Sequence, residues 1–331
     1  MWKKIEGEIN MKRLIFLMMF IILATCLISC QKEELGKWSK EYTIGMDTDF
    51  EECSGLPFGN GETAHVIILT GQSNCTGCSS IAYLKEQVSP DDFDRYSKGY
   101  DNILINFNID NHRTCSEGSF RKTDLMCGSY DEQFGPEVGL ADKLNEKYPN
   151  EKFYILKITM SGYSLNYHWM KDYERGEIYN ATYLFVKNAL DYLKSLNYNV
   201  SLDAVMFMQG ESDTTEIKTD RYYKNLSNYV TFLRNDFKDY SSPKGIYFID
   251  AGISDSPYNL PTYEGINEAK LLFSKESDLN VYFSTIENGL TTMNEPYYDP
   301  DLGHYDALSE LKLGELFAEE YIKIYERLKG E

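Results

Sequence analysis

Short apolar runs, each closed by a small polar turn and separated from the next by a helical pattern, constrain the fold of this chain more than any other feature. Val66-Ile67-Ile68-Leu69-Thr70 ends abruptly in Gly71-Gln72-Ser73-Asn74. The run is too short for a buried helix and rich in β-branched residues, so it predicts a buried strand over His65–Leu69. Similar runs predict strands at Ile103–Phe107, Phe153–Ile158, Ala204–Met208, Ile246–Ile249 and Val281–Phe283. Between them, apolar residues at helical spacing predict amphipathic helices over Glu137–Tyr148, Ile178–Leu196, Asp220–Phe237 and Leu308–Leu328. This alternation implies a parallel sheet covered on both faces, a three-layer α/β/α sandwich. No Pro-rich linker, repeat or shift in composition marks a second folded domain.

The N-terminus reads differently. Lys12-Arg13 precede an apolar run from Leu14 to Leu27, closed by Leu27-Ile28-Ser29-Cys30. A basic stretch, an apolar stretch and small residues at its end form a secretory signal. The closing tetrapeptide resembles the bacterial lipoprotein cleavage box, which implies lipidation of Cys30. Residues 1–30 are thus a lipoprotein signal peptide, with Met11 an alternative start. Residues 31–60 are a polar tether and an irregular leading segment, and 61–331 a single folded domain. The expected location is the bacterial cell envelope, with the membrane touched only through the anchor. A formal net charge of −19 argues against nucleic acid and anionic lipid as partners.

Export permits disulfides among Cys53, Cys75, Cys78, Cys115 and Cys127. Their number is odd, and the connectivity is open. Cys75 and Cys78 form a C-x-x-C with no matching second half for zinc. Bridges that pin the loops after Ser73 are expected, with Cys115–Cys127 one pairing; thiol redox chemistry at Cys75 and Cys78 is the rival reading.

In an open parallel sheet, ligands sit beyond the carboxyl ends of the strands. Four turns meet at that edge. They are Gly71-Gln72-Ser73-Asn74, Met160-Ser161-Gly162-Tyr163-Ser164, Met208-Gln209-Gly210-Glu211-Ser212-Asp213, and Asp301-Leu302-Gly303-His304-Tyr305 before the last helix. Each turn has a plain structural reading as cap or turn former. Together they supply the parts for acyl transfer: a hydroxyl at Ser73, a base at His304, a carboxylate at Asp301 to orient it, and donors for an oxyanion. Those donors are the Ser73 and Gly162 amides and the Gln209 side chain. Glu211 is an alternative acid. Gln72, Asn74 and Tyr163 border the pocket. His65, His112 and His168 read as structural.

These turns, with Phe134-Gly135-Pro136-Glu137, occur in the order found in the SGNH/GDSL hydrolases, and the chain resembles that superfamily from about His65 to Leu316. It is most similar to the branch of sialate O-acetylesterases and carbohydrate esterase family 6 acetylxylan esterases. The resemblance implies a flavodoxin-like sandwich, Ser73 as nucleophile, His304 as base, Asp301 or Glu211 as its acid, and no metal or organic cofactor. It implies removal of O-acetyl groups from carbohydrate such as sialic acid or xylan. The chain departs from the branch at Cys75-Thr76-Gly77, Ser161 and Phe207, which leaves the sugar open. A surface glycan-binding lipoprotein on a degenerate hydrolase scaffold is the alternative.

Overall fold

The computed structural model describes residues 43–216, 219–293 and 301–330. The chain divides into units 1–45 and 46–331. The signal segment, Cys30 and the tether through Tyr42 lie outside the described residues.

Within the second unit the apolar runs form the strands β1 (Thr63–Gly71), β2 (Tyr100–Ile109), β3 (Phe153–Thr159), β4 (Asn199–Met208), β5 (Tyr247–Ala251) and β6 (Asn280–Phe283). They line up as β6-β5-β4-β1-β3-β2 in one parallel sheet. The sheet is not wholly parallel. Thr114–Cys115 and Arg121–Thr123, inside the long polar stretch between Asn108 and Gln133, fold back antiparallel onto β2. That stretch has too few apolar residues to show a period, but the open edge of β2 supplies backbone partners for it.

β1, β2 and β4 begin before their apolar runs, and on β1 and β4 buried polar groups there pair with one another. Asp203 on β4 accepts hydrogen bonds from Ser201 Oγ (2.6 Å) and Tyr321 OH (2.7 Å), and His65 Nδ1 meets it at 2.7 Å. His65 is therefore a structural histidine.

The helices α1 (Glu137–Lys147), α2 (Glu177–Ser195), α3 (Thr219–Asp236), α4 (Tyr263–Ser274) and α5 (Ala307–Lys329) cover the sheet. α1 and α5 pack together on one face; α3 packs on α4 and on α2 on the other. The result is the expected three-layer sandwich. α4 was not anticipated, although Ile266, Ala269, Lys270 and Phe273 bury one face at helical spacing. No helix among the described residues is long and apolar enough to cross a membrane.

Residues 46–60, in the irregular leading segment, are bonded to the domain. Gly59 N donates to Leu196 O (2.7 Å), Ser54 pairs with the 118–120 backbone, and Phe50 stacks on His112 and meets Phe185 edge-on.

The chain leaves β1 toward β3 and β2, and leaves β4 toward β5. Adjacent strands thus send the chain in opposite directions. The crevice between the carboxyl ends of β1 and β4 is the switch point at which such sheets bind ligands.

Candidate active site

The first wall of that crevice is the turn after β1. Gly71 has φ +151°, and a Cβ there would fall 2.0 Å from the Met208 carbonyl oxygen of β4. Only glycine lets the two strands close at this point. The chain then enters a short helical turn, Ser73–Thr76, all of it buried. Among the described residues, the backbone N–H groups of Ser73 and Gly162 donate to nothing within the protein.

A buried ion pair braces the turn from below. Lys157, in the middle of β3, has no solvent exposure, nor has Glu137 at the start of α1. The three donors of Lys157 Nζ meet three acceptors: Glu137 Oε2 (2.5 Å), Thr76 O (2.9 Å) and Cys127 O (2.8 Å). Glu137 Oε1 accepts from Gly135 N at 2.9 Å. A buried pair is tolerated when its remaining hydrogen-bonding groups are met in this way. The Phe134-Gly135-Pro136-Glu137 motif thus supports the end of the Ser73 turn.

Asn74 joins the turn to the loop of His304. Its Oδ1 accepts from Tyr305 N (3.0 Å), and its Nδ2 donates to Gly303 O (3.3 Å) and Glu211 Oε1 (2.7 Å). The acceptors on one side and the donor on the other fix the orientation of the amide. The residue after Ser73 therefore grips the backbone on both sides of His304. In that loop, Asp301 Oδ2 lies 2.5 Å from His304 Nδ1, and Asp301 Oδ1 accepts from Gly303 N at 2.9 Å. The His304 imidazole holds the Asp301 carboxyl below its ordinary range. With Nδ1–H donated to Asp301, the other ring nitrogen, Nε2, is the basic one. Among the described residues no hydrogen bond joins Ser73 Oγ to His304. Glu211 makes none to His304 either; its Oε2 is buried without a partner.

A further wall, on the other side of β1, is the turn after β3. Asp110, just past β2, accepts from Ser161 N (2.6 Å) and Ser161 Oγ (3.1 Å). This fixes the approach to Gly162, whose φ of +77° demands glycine although the space around it is open. Tyr163 is half-buried, with its ring edge-on to His168.

Gln209 is turned inward and has no exposure. Its Nε2 donates to Asp213 Oδ2 (2.6 Å), Gln72 Oε1 (3.2 Å) and Tyr163 O (3.4 Å), and its Oε1 accepts from Tyr222 OH at 3.1 Å. Gln72 Oε1 also accepts from Gly210 N (3.3 Å) and Ser212 N (3.2 Å). The sequence points to Gln209 as an oxyanion donor and to Gln72 as a pocket residue; in the structure both amides lace the β1 and β4 turns together. Asp213 completes the lacing by accepting from Leu165 N (2.8 Å) and Asn166 N (3.0 Å). Burial pushes its carboxyl up to about 6.

Lys157, Asp110 and Asp213 are the supporting residues that sequence reasoning missed. A single charge inside an otherwise apolar strand is the signal that marks Lys157.

The disulfides expected from the sequence are not formed: all five described cysteines are free thiols. Cys75 packs against Gly71 in the core, whereas the Cys78 thiol donates to Ser73 O at 3.6 Å. Cys53 lies beside Asn106, and Cys127 beside Asp124. Burial pushes the Cys75 and Cys78 thiols up, opposite to what a redox pair needs.

The family model for carbohydrate esterases of the sialic acid-specific acetylesterase type matches residues 63–323, which takes in every turn described above. The chain belongs to this family. The esterase is accordingly a carboxylic ester hydrolase. Its fold is similar to that of a protein from Arabidopsis thaliana, at 15% identity over 78% of this chain and 98% of the other, with a TM-score of 0.58. It is similar also to NanS, at 12% identity over 81% of this chain and 99% of that one, with a TM-score of 0.57. No curated protein sequence matches the esterase.

Proposed function

We propose that the protein is a serine O-acetylesterase of acetylated carbohydrate, with Ser73 as nucleophile, His304 as base and Asp301 as the acid that orients it. The observation that carries this reading is the grip of Asn74 on Gly303 and Tyr305, which ties the Asp301–His304 pair to the turn of Ser73. In this scheme Ser73 Oγ attacks the acetyl carbonyl while His304 Nε2 takes its proton. The Ser73 and Gly162 N–H groups, without partners among the described residues, receive the oxyanion. Collapse breaks the ester C–O bond, and His304 returns the proton to the leaving sugar hydroxyl. Water, activated by the same imidazole, then releases acetate and restores Ser73. Hydrogen bonds between nucleophile and base are often longer in free enzymes than in substrate complexes, which is compatible with the open Ser73–His304 contact.

The family supports acetylated carbohydrate as the substrate class, with sialic acid the first sugar to test. We place the protein at the cell envelope, held through Cys30, because of the Leu27-Ile28-Ser29-Cys30 box; Cys30→Ala should release it from the membrane fraction. The reaction is tested with protein lacking residues 1–30. It should release acetate from O-acetylated sialic acid or xylan, and Ser73→Ala should lower the rate by about 10⁴-fold or more. A Ser73→Ala protein as fast as its parent rules the mechanism out.

A further inference from the structure

We infer that Tyr258 is the platform on which the sugar ring of the substrate rests, an inference that builds on the esterase reading of the Ser73–His304 site. Tyr258 lies in the loop between β5 and α4 and is 66% exposed. A lone exposed aromatic is ordinary; two features set this one apart.

The first is its place. A Cβ built on Gly303 would lie 3.4 Å from Tyr258 Cδ2, 3.9 Å from Cε2 and 3.3 Å from Asp301 Oδ1. One edge of the ring thus lies beside Gly303, the residue between Asp301 and His304 in the base loop.

The second is how firmly its backbone is held. The next residue, Asn259, is buried, and its Nδ2 donates to Ser254 O (2.9 Å) and Ser254 Oγ (3.1 Å). Asn259 N donates to Ser256 O (2.9 Å), and its carbonyl accepts from Thr262 N (3.1 Å) and Tyr263 N (3.0 Å). Thr262 Oγ1 donates to Thr214 O and fastens the loop to the Glu211 segment. A fixed loop therefore presents a flat aromatic face at the lip of the site. Such a face matches the C–H surface of a pyranose, and a ring held in advance loses little freedom when the sugar binds.

The test compares kcat/KM for an O-acetylated N-acetylneuraminic acid with that for ethyl acetate, which has no ring to stack. Tyr258→Ala should lower the preference for the sugar about tenfold, through KM and not kcat, the size expected for one lost stacking contact. Tyr258→Phe should keep the preference. Calorimetry of the same sugar on Ser73→Ala protein, with and without Tyr258→Ala, should show a matching loss of affinity. An unchanged preference, a loss confined to kcat, or an equal loss in Tyr258→Phe overturns the platform. A parent that cleaves neither ester defeats the esterase reading itself, whereas the calorimetric comparison still decides whether Tyr258 holds sugar.

Discussion

Glu211 Oε1 accepts a hydrogen bond from Asn74 Nδ2 at 2.7 Å, so an amide stands between this carboxylate and the loop of His304. The other candidate acid, Asp301, touches the imidazole directly. The two carboxylates therefore do different things: one orients a ring, the other holds the residue that holds the loop.

This gives an order of effects. Asp301→Asn should cost about 10⁴-fold in kcat/KM toward an acetyl ester, because the imidazole loses the group that fixes its tautomer. Glu211→Gln keeps an oxygen for Asn74 and should cost about tenfold or less. Steady-state kinetics of the two variants decide; the reverse order would give Glu211 the part of the acid.

Asn74→Ala removes the grip on both sides of His304. Gly303 O, Tyr305 N and Glu211 each lose a partner. A misplaced base should lower kcat about 10²-fold. Unfolding in urea should show a loss of about 1–3 kcal/mol for the groups left unmet.

Lys157→Met leaves Glu137 buried without its cation. That should cost about 3–5 kcal/mol in urea denaturation, and adding Glu137→Gln should recover part of it. The single variant should lose activity along with stability, because the Thr76 carbonyl at the end of the nucleophile turn loses its donor.

Asp213 predicts a pH effect. Its carboxyl is pushed from 3.8 up to about 6 by burial. Well below 3.8 it is protonated in both states, and its contribution to stability is fully present. As pH rises through 6, the unfolded chain ionises first and that contribution is lost. Parent and Asp213→Asn should therefore diverge by about 3 kcal/mol in the pH dependence of unfolding between about pH 2.5 and 7. Parallel curves from denaturation at several pH values would count against the raised carboxyl.

Much of this arrangement is legible in the sequence. Buried strands announce themselves by composition, and topology alone brings the turns with Ser73, Gly162, Gln209 and His304 to one edge. What a sequence does not carry is the direction of a side chain. Gln209 has the chemistry of an oxyanion donor, yet Asp213, Gln72 and the Tyr163 carbonyl draw its protons inward. The cysteines teach the same lesson. An exported chain permits bridges, but Cys75 faces the core and Cys78 the Ser73 carbonyl, three residues apart and with different neighbours. The apolar strand around Lys157 marks it as unusual, but its role stayed hidden because its partners come from distant parts of the chain.

The seating of residues 46–60 on the domain also says where a protease would stop. Trimming from the N-terminal side meets a chain bonded at Ser54 and Gly59 and anchored by Phe50 between His112 and Phe185. A proteolytically trimmed form of the enzyme should therefore begin near Met46, well before the first strand. A version cut at residue 61 would expose an apolar seat and be prone to stick to itself.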